Sequence, residues 1–320
     1  MSSSQSDMSV DVGRRARIVV LGGINMDLIA TTPRLANPGE TVIGDTFYTA
    51  PGGKGGNQAV AASRMGGRVS MIGRVGTDIF GPILLEELQG YGVDVTGVAT
   101  DTEHSSGIAV ILLNAERENH IVQILGANIQ CDDGQLATAR RSLDGADVLM
   151  LQLEIPHAVS LLAAKAAKKL GVTVMWDPAP ASMGFPLESF EALDVVTPNQ
   201  TEAEALTGIA VTDIRSAKTA AEVLHRMGAP TAVVKLGEDG VYYSGPGGSG
   251  HVGSHTVEQL DSVAAGDAFG GAFAVALGEG RGIETAVRAG TAAGALAVTR
   301  RGAQEAMPSR DEVEKLMCGS

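Results

Sequence analysis

Cysteine is almost missing from this chain: Cys131 and Cys318 are the only two in 320 residues. They stand far apart with no CxxC spacing, which excludes a disulfide framework and a cysteine zinc site and points to a cytoplasmic setting. Positive charge is also scarce, with 24 Lys and Arg against 37 Asp and Glu and a formal net charge of −13. With no lysine or arginine run to override it, that balance excludes a nucleic-acid surface. No segment is apolar for long enough to span a bilayer or to form the centre of a secretion signal, so no membrane partner is expected. Residues 1–15 are polar and Ser-rich, the composition of a flexible tail. The terminal Met317-Cys318-Gly319-Ser320 matches neither a peroxisomal ending nor a prenylation frame. Two nucleotide fingerprints are missing as well. Gly22-Gly23-Ile24-Asn25-Met26-Asp27 lacks GxGxxG, and Lys54 lacks the GxxxxGK[ST] spacing with its following Ser or Thr. A phosphorylated ligand would therefore need local help, from backbone amides and a divalent metal.

Apolar residues, by contrast, make up 44% of the chain, ample for a core. Short apolar runs at 17–21, 69–73, 147–151, 172–176, 194–197 and 231–236 read as strands. Helical stretches at about 54–65, 79–89, 134–142, 156–170 and 283–299 alternate with them. That rhythm argues for an α/β fold with a central, mostly parallel sheet covered by helices on both faces. Two regions break it. Residues 28–49 and 106–125 are rich in β-formers, and the second is hairpin-like around Asn114-Ala115-Glu116-Arg117-Glu118-Asn119. They are expected to form a small β-sheet lid on a single domain spanning 16–320. Too small to bury both of its faces, the lid is expected to pair with a second copy in a homodimer.

The chemistry is concentrated at 261–272, Asp-Ser-Val-Ala-Ala-Gly-Asp-Ala-Phe-Gly-Gly-Ala. Small residues at a helix start let a bulky anion reach the free amides of the first turn, at the positive end of the helix dipole. Asp267 there either charges the first turn or takes a proton from a hydroxyl attacking phosphorus. Asn25 and Asp27 follow the first strand on the edge where open α/β sheets bind ligands, as hydroxyl partners or as an Asx turn. Pro51-Gly52-Gly53-Lys54-Gly55-Gly56-Asn57-Gln58-Ala59 is a glycine-rich turn in which Lys54 and Asn57 can hold hydroxyls. Glu154 ends a strand on the same edge. Asn199 and Glu202 have capping-box spacing, and Glu202 could instead hold magnesium-bound water near a phosphate. The glycine-rich loop at 245–250 could line a flat base.

These motifs resemble the ribokinase family of carbohydrate and purine kinases over nearly all of 17–317. The resemblance rests on Gly23-Ile24-Asn25-Met26-Asp27 with Gly39-Glu40-Thr41, on 52–59, and on 261–267 with Thr299-Arg300-Arg301-Gly302-Ala303. It implies ATP-dependent phosphorylation of D-ribose at O5, with Asp267 as base and the amides of Ala264, Ala265 and Gly266 as the anion hole; a deoxyribose, adenosine or fructose kinase, or a non-catalytic sugar sensor, is the alternative. It implies further that Asn25, Asp27, Gly53, Lys54, Asn57 and Glu154 hold the sugar. Asn199, Glu202, Lys235, Gly237, Gly240, Gly266 and Thr291 would line the nucleotide and Mg2+ region. An activating K+ would take oxygens from Asp261, Val263, Ala297, Arg300, Gly302 and Ala306. Two departures stand out: Ala306 lacks the hydroxyl often found at its position, and Lys235 replaces a small hydroxylated residue.

Overall fold

The computed structural model describes residues 14–115 and 119–319. The expected tail, apart from Arg14 and Arg15, lies outside them, as do Glu116, Arg117 and Glu118 of the expected hairpin. In chain order the elements are β1 (Arg17–Leu21), β2 (Asn25–Thr31), β3 (Thr46–Gly52), α1 (Lys54–Arg64), β4 (Arg68–Gly76), α2 (Phe80–Gly90), β5 (Asp94–Asp101), β6 (Gly107–Leu113) and β7 (Asn119–Ile124). There follow α3 (Asp133–Ser142), β8 (Val148–Leu151), α4 (His157–Lys169), β9 (Thr173–Trp176), β10 (Val195–Val196), α5 (Gln200–Thr207), α6 (Ile214–Met227), β11 (Thr231–Lys235), β12 (Val241–Gly245), β13 (Gly248–Val252), α7 (Ala265–Gly278), α8 (Ile283–Ala297) and α9 (Arg310–Cys318).

Nine strands form one sheet in the order β13-β12-β11-β10-β9-β8-β1-β4-β5. All neighbours from β5 to β11 are parallel, and the β11-β12-β13 edge is antiparallel. Strand alternation sorts the side chains into two cores. Ile18, Val20, Val148 and Met150 face one layer with α1, α2, α7 and α8, while Val19, Leu21, Leu149 and Leu151 face the other with α3, α4 and α6. The four-stranded second sheet, in the order β3-β2-β6-β7, is the expected lid.

Several details differ from the sequence expectation. Asn25 and Asp27 do not close β1; they open β2, opposite Gly52, Ala50, Gly107 and Ala109. The lid is thus rooted in the polar residues themselves. Residues 41–45 carry no strand, and β3 instead runs on to Gly52. β5 was not foreseen, because its charged ends and central Gly97 break the apolar run. α6 was missed because its buried stripe is mostly alanine, Ala217, Ala220 and Ala221 with Leu224.

α1 and α7 pack unusually close. A Cβ at Gly271 would lie 2.4 Å from Ala61 Cβ and 2.6 Å from the Ala62 nitrogen. In an open helix interior Gly→Ala stabilises by about 1 kcal/mol. Here the sign is expected to reverse, with Gly271→Ala costing about 1–3 kcal/mol from overpacking. Urea unfolding checks this: the midpoint should fall at unchanged slope, and a raised midpoint would contradict the close approach.

Candidate active site

Asp267 lies in the first turn of α7 and is buried. Asn57 Nδ2 and Gln58 Nε2, both in the first turn and a half of α1, each donate to it at 3.0 Å. The α1-α7 contact therefore converts two sequence motifs into one hydrogen-bonded unit. Asn57 Oδ1 is buried and accepts no hydrogen bond among the described residues, leaving an acceptor for a hydroxyl. Ala264, just before α7, is left-handed at φ 59°, ψ 10°, the one non-glycine residue of positive φ among those described. That conformation costs about 1–2 kcal/mol and turns the chain sharply into the helix. Of the expected anion-hole amides, Ala265 N leans weakly on Ser262 O at 3.4 Å.

On the lid side of Asp267 lies a second polar cluster. Glu154 accepts from the Lys54 amide at 2.7 Å, from Asn25 Nδ2 at 3.2 Å and from Gln123 Nε2 of β7. Asn128 Nδ2 donates to Asn25 Oδ1 at 2.7 Å and to Ile24 O at 3.1 Å. Two glycines make this possible. A Cβ at Gly107 would lie 2.1 Å from Asn25 Oδ1, and Gly53, at φ 83°, would place one 2.6 Å from the Asn25 amide. Asp27 is buried beside this cluster.

On the other side of Asp267 opens a cavity of about 890 Å³. Its wall contains Lys54, Asn199, Glu202, Lys235, Gly237, Gly240, Thr291 and the stretch from Ala264 to Asp267. All the residues expected around nucleotide and divalent metal thus face one space. The 245–250 loop is not among its walls; Ser254, His255, Thr256 and Val257 are, correcting the expected base-lining segment. The Asn199 and Glu202 capping box forms, with Asn199 Oδ1 accepting from Glu202 N and Glu202 Oε2 from Asn199 N, both at 2.8 Å. Capping and cavity lining coexist in one carboxylate. Thr291 Oγ1 donates to Val287 O at 2.8 Å, so its hydroxyl proton is engaged.

The residues expected around K+ lie just before α7 and at or just after the end of α8, where Asp261 meets Gly302. Asp261 accepts from Val263 N at 3.0 Å and from Gly302 N at 3.3 Å. Ala297 and Ala306 are fully buried. The Arg300 side chain turns away to Glu312.

A family model described as pfkB family carbohydrate kinase matches residues 15–310. The chain belongs to the pfkB family of carbohydrate kinases. It is 40% identical to a ribokinase of Haemophilus influenzae over 93% of this chain and 97% of that one. It is 33% identical to a deoxyribokinase of Salmonella typhi over 94% and 98%. The structure of an Arabidopsis thaliana ribokinase complexed with ribose and ATP superposes with a TM-score of 0.86 at 32% identity, covering 95% and 99% of the two chains.

Within this pfkB-family site, sequence reasoning missed Asp177, Gln58, Gln152, Asn128 and Gln123. Asp177 directly follows β9, so the signal was the same strand-end position that flagged Glu154. Asn128 and Gln123 carried none, being distant in sequence from everything they touch. Among the described residues no three His, Cys, Asp or Glu cluster tightly enough to cage a metal. A divalent ion here would keep water and ligand oxygens, the habit of Mg2+.

The site is rich in carboxylates. Burial raises Asp267, Glu154 and Glu202 above the usual carboxylate range, opposed by Lys54 at the first two and by Lys235, then Lys54, at Glu202. Burial alone would lower Lys54, but the fields of Asp267, Asp177, Glu154 and Glu202 together raise it. Asp27 is pushed up to about 7 by burial, then by Glu154 and Asp267. Between about pH 4 and 7 the folded form therefore binds more protons at Asp27 than the unfolded form, so this group lowers stability as pH rises through that window. Asp27→Asn is expected to raise unfolding stability at pH 8 by roughly 4 kcal/mol, at about 1.4 kcal/mol per pKa unit between 3.8 and about 7, and to match the parent near pH 4. Urea titrations at the two pH values check this; a parent more stable than the variant at pH 8 would overturn it.

Proposed function

We propose that this chain is an ATP-dependent kinase that phosphorylates D-ribose on O5, yielding ribose 5-phosphate and ADP. The observation that carries the reading is Asp267, a buried carboxylate between a hydroxyl-matching polar cluster and an 890 Å³ cavity bounded by a helix N-terminus. Asn25, Asp27, Gly53, Lys54, Asn57 and Glu154 hold the sugar hydroxyls. Asp267 takes the O5 proton as the O5–P bond forms and the bond from the γ-phosphorus to the bridging oxygen breaks, its electron pair leaving with ADP. The first-turn amides at Ala264, Ala265 and Gly266 receive the charge gathering on the phosphoryl oxygens. Asn199, Lys235, Gly237, Gly240 and Thr291 line the nucleotide. Glu202 would hold Mg2+ through water, and the ion would neutralise phosphate charge there. The 33% identical deoxyribokinase makes deoxyribose the alternative acceptor.

K+ is assigned to the loop of Asp261 and Val263 with the carbonyls of Ala297, Arg300, Gly302 and Ala306. One carboxylate with backbone oxygens suits a hard monovalent ion, and an ion held there would brace the turn at Ala264. Two copies pair through the lid, whose Phe47, Tyr48, Ile121, Val122 and Ile124 are exposed; sedimentation at micromolar concentration measures this.

Phosphoryl transfer from ATP across ribose, deoxyribose, fructose and adenosine tests the function, with ribose expected to show the highest kcat/KM. A different preferred acceptor would replace ribose in the reading. Asp267→Asn should retain sugar and nucleotide binding while turnover falls by about two to four orders of magnitude. Exchange of K+ for a large organic cation at constant ionic strength should lower turnover. An unchanged rate in verified cation-free protein removes K+ from the mechanism.

A further inference from the structure

Lys235 ends β11, and its Nζ donates to Asp177 Oδ1 at 3.0 Å. The two side chains are only 14% and 4% exposed. A Cβ built on Gly266 would lie 3.4 Å from the same Nζ, so the ammonium rests against the first turn of α7. A pair this buried is a poor stabiliser, since desolving both charges offsets most of their attraction. What the pair does achieve is to hold a cation beside the first-turn amides. Lys235 Nζ has three hydrogens and makes this single hydrogen bond among the described residues, leaving donors that face the cavity.

Asp177 has a second partner. Gln58 Nε2 donates to Asp177 Oδ2 at 3.0 Å and also to Asp267 Oδ1 at 3.0 Å. An amide nitrogen carries two hydrogens, so both bonds form at once. Gln152 Nε2 donates to Gln58 Oε1 at 2.6 Å, which sets the amide with its nitrogen toward the carboxylates. Lys235, Asp177, Gln58 and Asp267 thus form one continuous chain drawn from β11, the end of β9, α1 and α7.

We propose that Lys235 is a phosphate-binding cation, contacting oxygens of the β- or γ-phosphoryl group. Asp177 and Gln58 are positioning residues that set Lys235 and Asp267 at a fixed separation. The proposal rests on the reading that nucleotide phosphates meet the N-terminus of α7. Its chemical motive is the charge of the site: Glu154, Asp177, Glu202 and Asp267 surround Lys54, and a polyphosphate adds more negative charge. An ammonium that keeps its bond to Asp177 and turns its remaining hydrogens to phosphate oxygens offsets that charge where the transfer concentrates it.

Binding of ATP, ADP and AMP by titration calorimetry, with kcat and KM for the sugar, tests the proposal. Lys235→Met should weaken ATP about tenfold or more, change AMP by less than about twofold, and lower kcat about 10- to 100-fold with sugar KM unchanged, the scale of losing one charge-stabilising donor. Lys235→Arg should recover part of the ATP affinity. Because Lys235→Met leaves the buried Asp177 without its counter-charge, Lys235→Met with Asp177→Asn serves as the neutral pair; it should recover the melting temperature but not kcat. Asp177→Asn alone should lower kcat about tenfold while ATP affinity stays within about threefold, as expected when the base loses its orientation. Equal weakening of ATP and AMP in Lys235→Met, or a neutral pair that recovers kcat together with its melting temperature, overturns the phosphate role. Unchanged kcat in Asp177→Asn overturns the positioning role. Should the parent protein phosphorylate no ribose, the ribose reading fails while the contrast between ATP and AMP still judges Lys235.

Discussion

The site depends on how closely two helices approach. Gly271 of α7 leaves no room for even a methyl group against Ala61 and Ala62 of α1, and that proximity lets Asn57 and Gln58 reach Asp267. Both helices begin at the same edge of the sheet. Packing that is tight in the core thus becomes hydrogen-bond precision at the edge, where a displacement of 1 Å would cost orders of magnitude in rate.

Charge is the second organising feature. Several carboxylates are gathered around Lys54 and Lys235, and burial raises three of them while lysine fields oppose the rise. Carboxylates gathered in this way carry an electrostatic cost that hydroxyl donors and a metal cation would relieve, and that the two lysines offset in part. The lid joins the same network, because Gln123 of β7 donates to Glu154 and Asn25 opens β2. Movement of the small sheet would therefore be felt directly by the carboxylate that also holds the Lys54 amide.

Much of this was legible in the chain. The alternation of apolar runs with helices indicated a covered parallel sheet, and the glycine-rich turn around Lys54 and the small residues before Asp267 marked the two helix starts that the structure brings together. Less legible was the assignment of Asn25 and Asp27, which Gly22-Gly23 separates from β1 without showing that a second sheet begins there. β5 escaped because an edge strand with charged ends lacks an uninterrupted apolar run.

By itself the sequence determined local things: which segments favour strand or helix, the Asn199 and Glu202 cap, and the small residues that open a helix start to an anion. Those follow from backbone preference and short-range spacing, which the chain carries in its own order. Only the tertiary structure decided that Gln58 stands between Asp177 and Asp267, that Asn128 fixes Asn25, and that Lys235 rests against Gly266. Such contacts join residues 31 to 209 positions apart. No periodicity encodes them, because they arise from the summed packing of two cores that brings the strand ends and two helix starts to one edge.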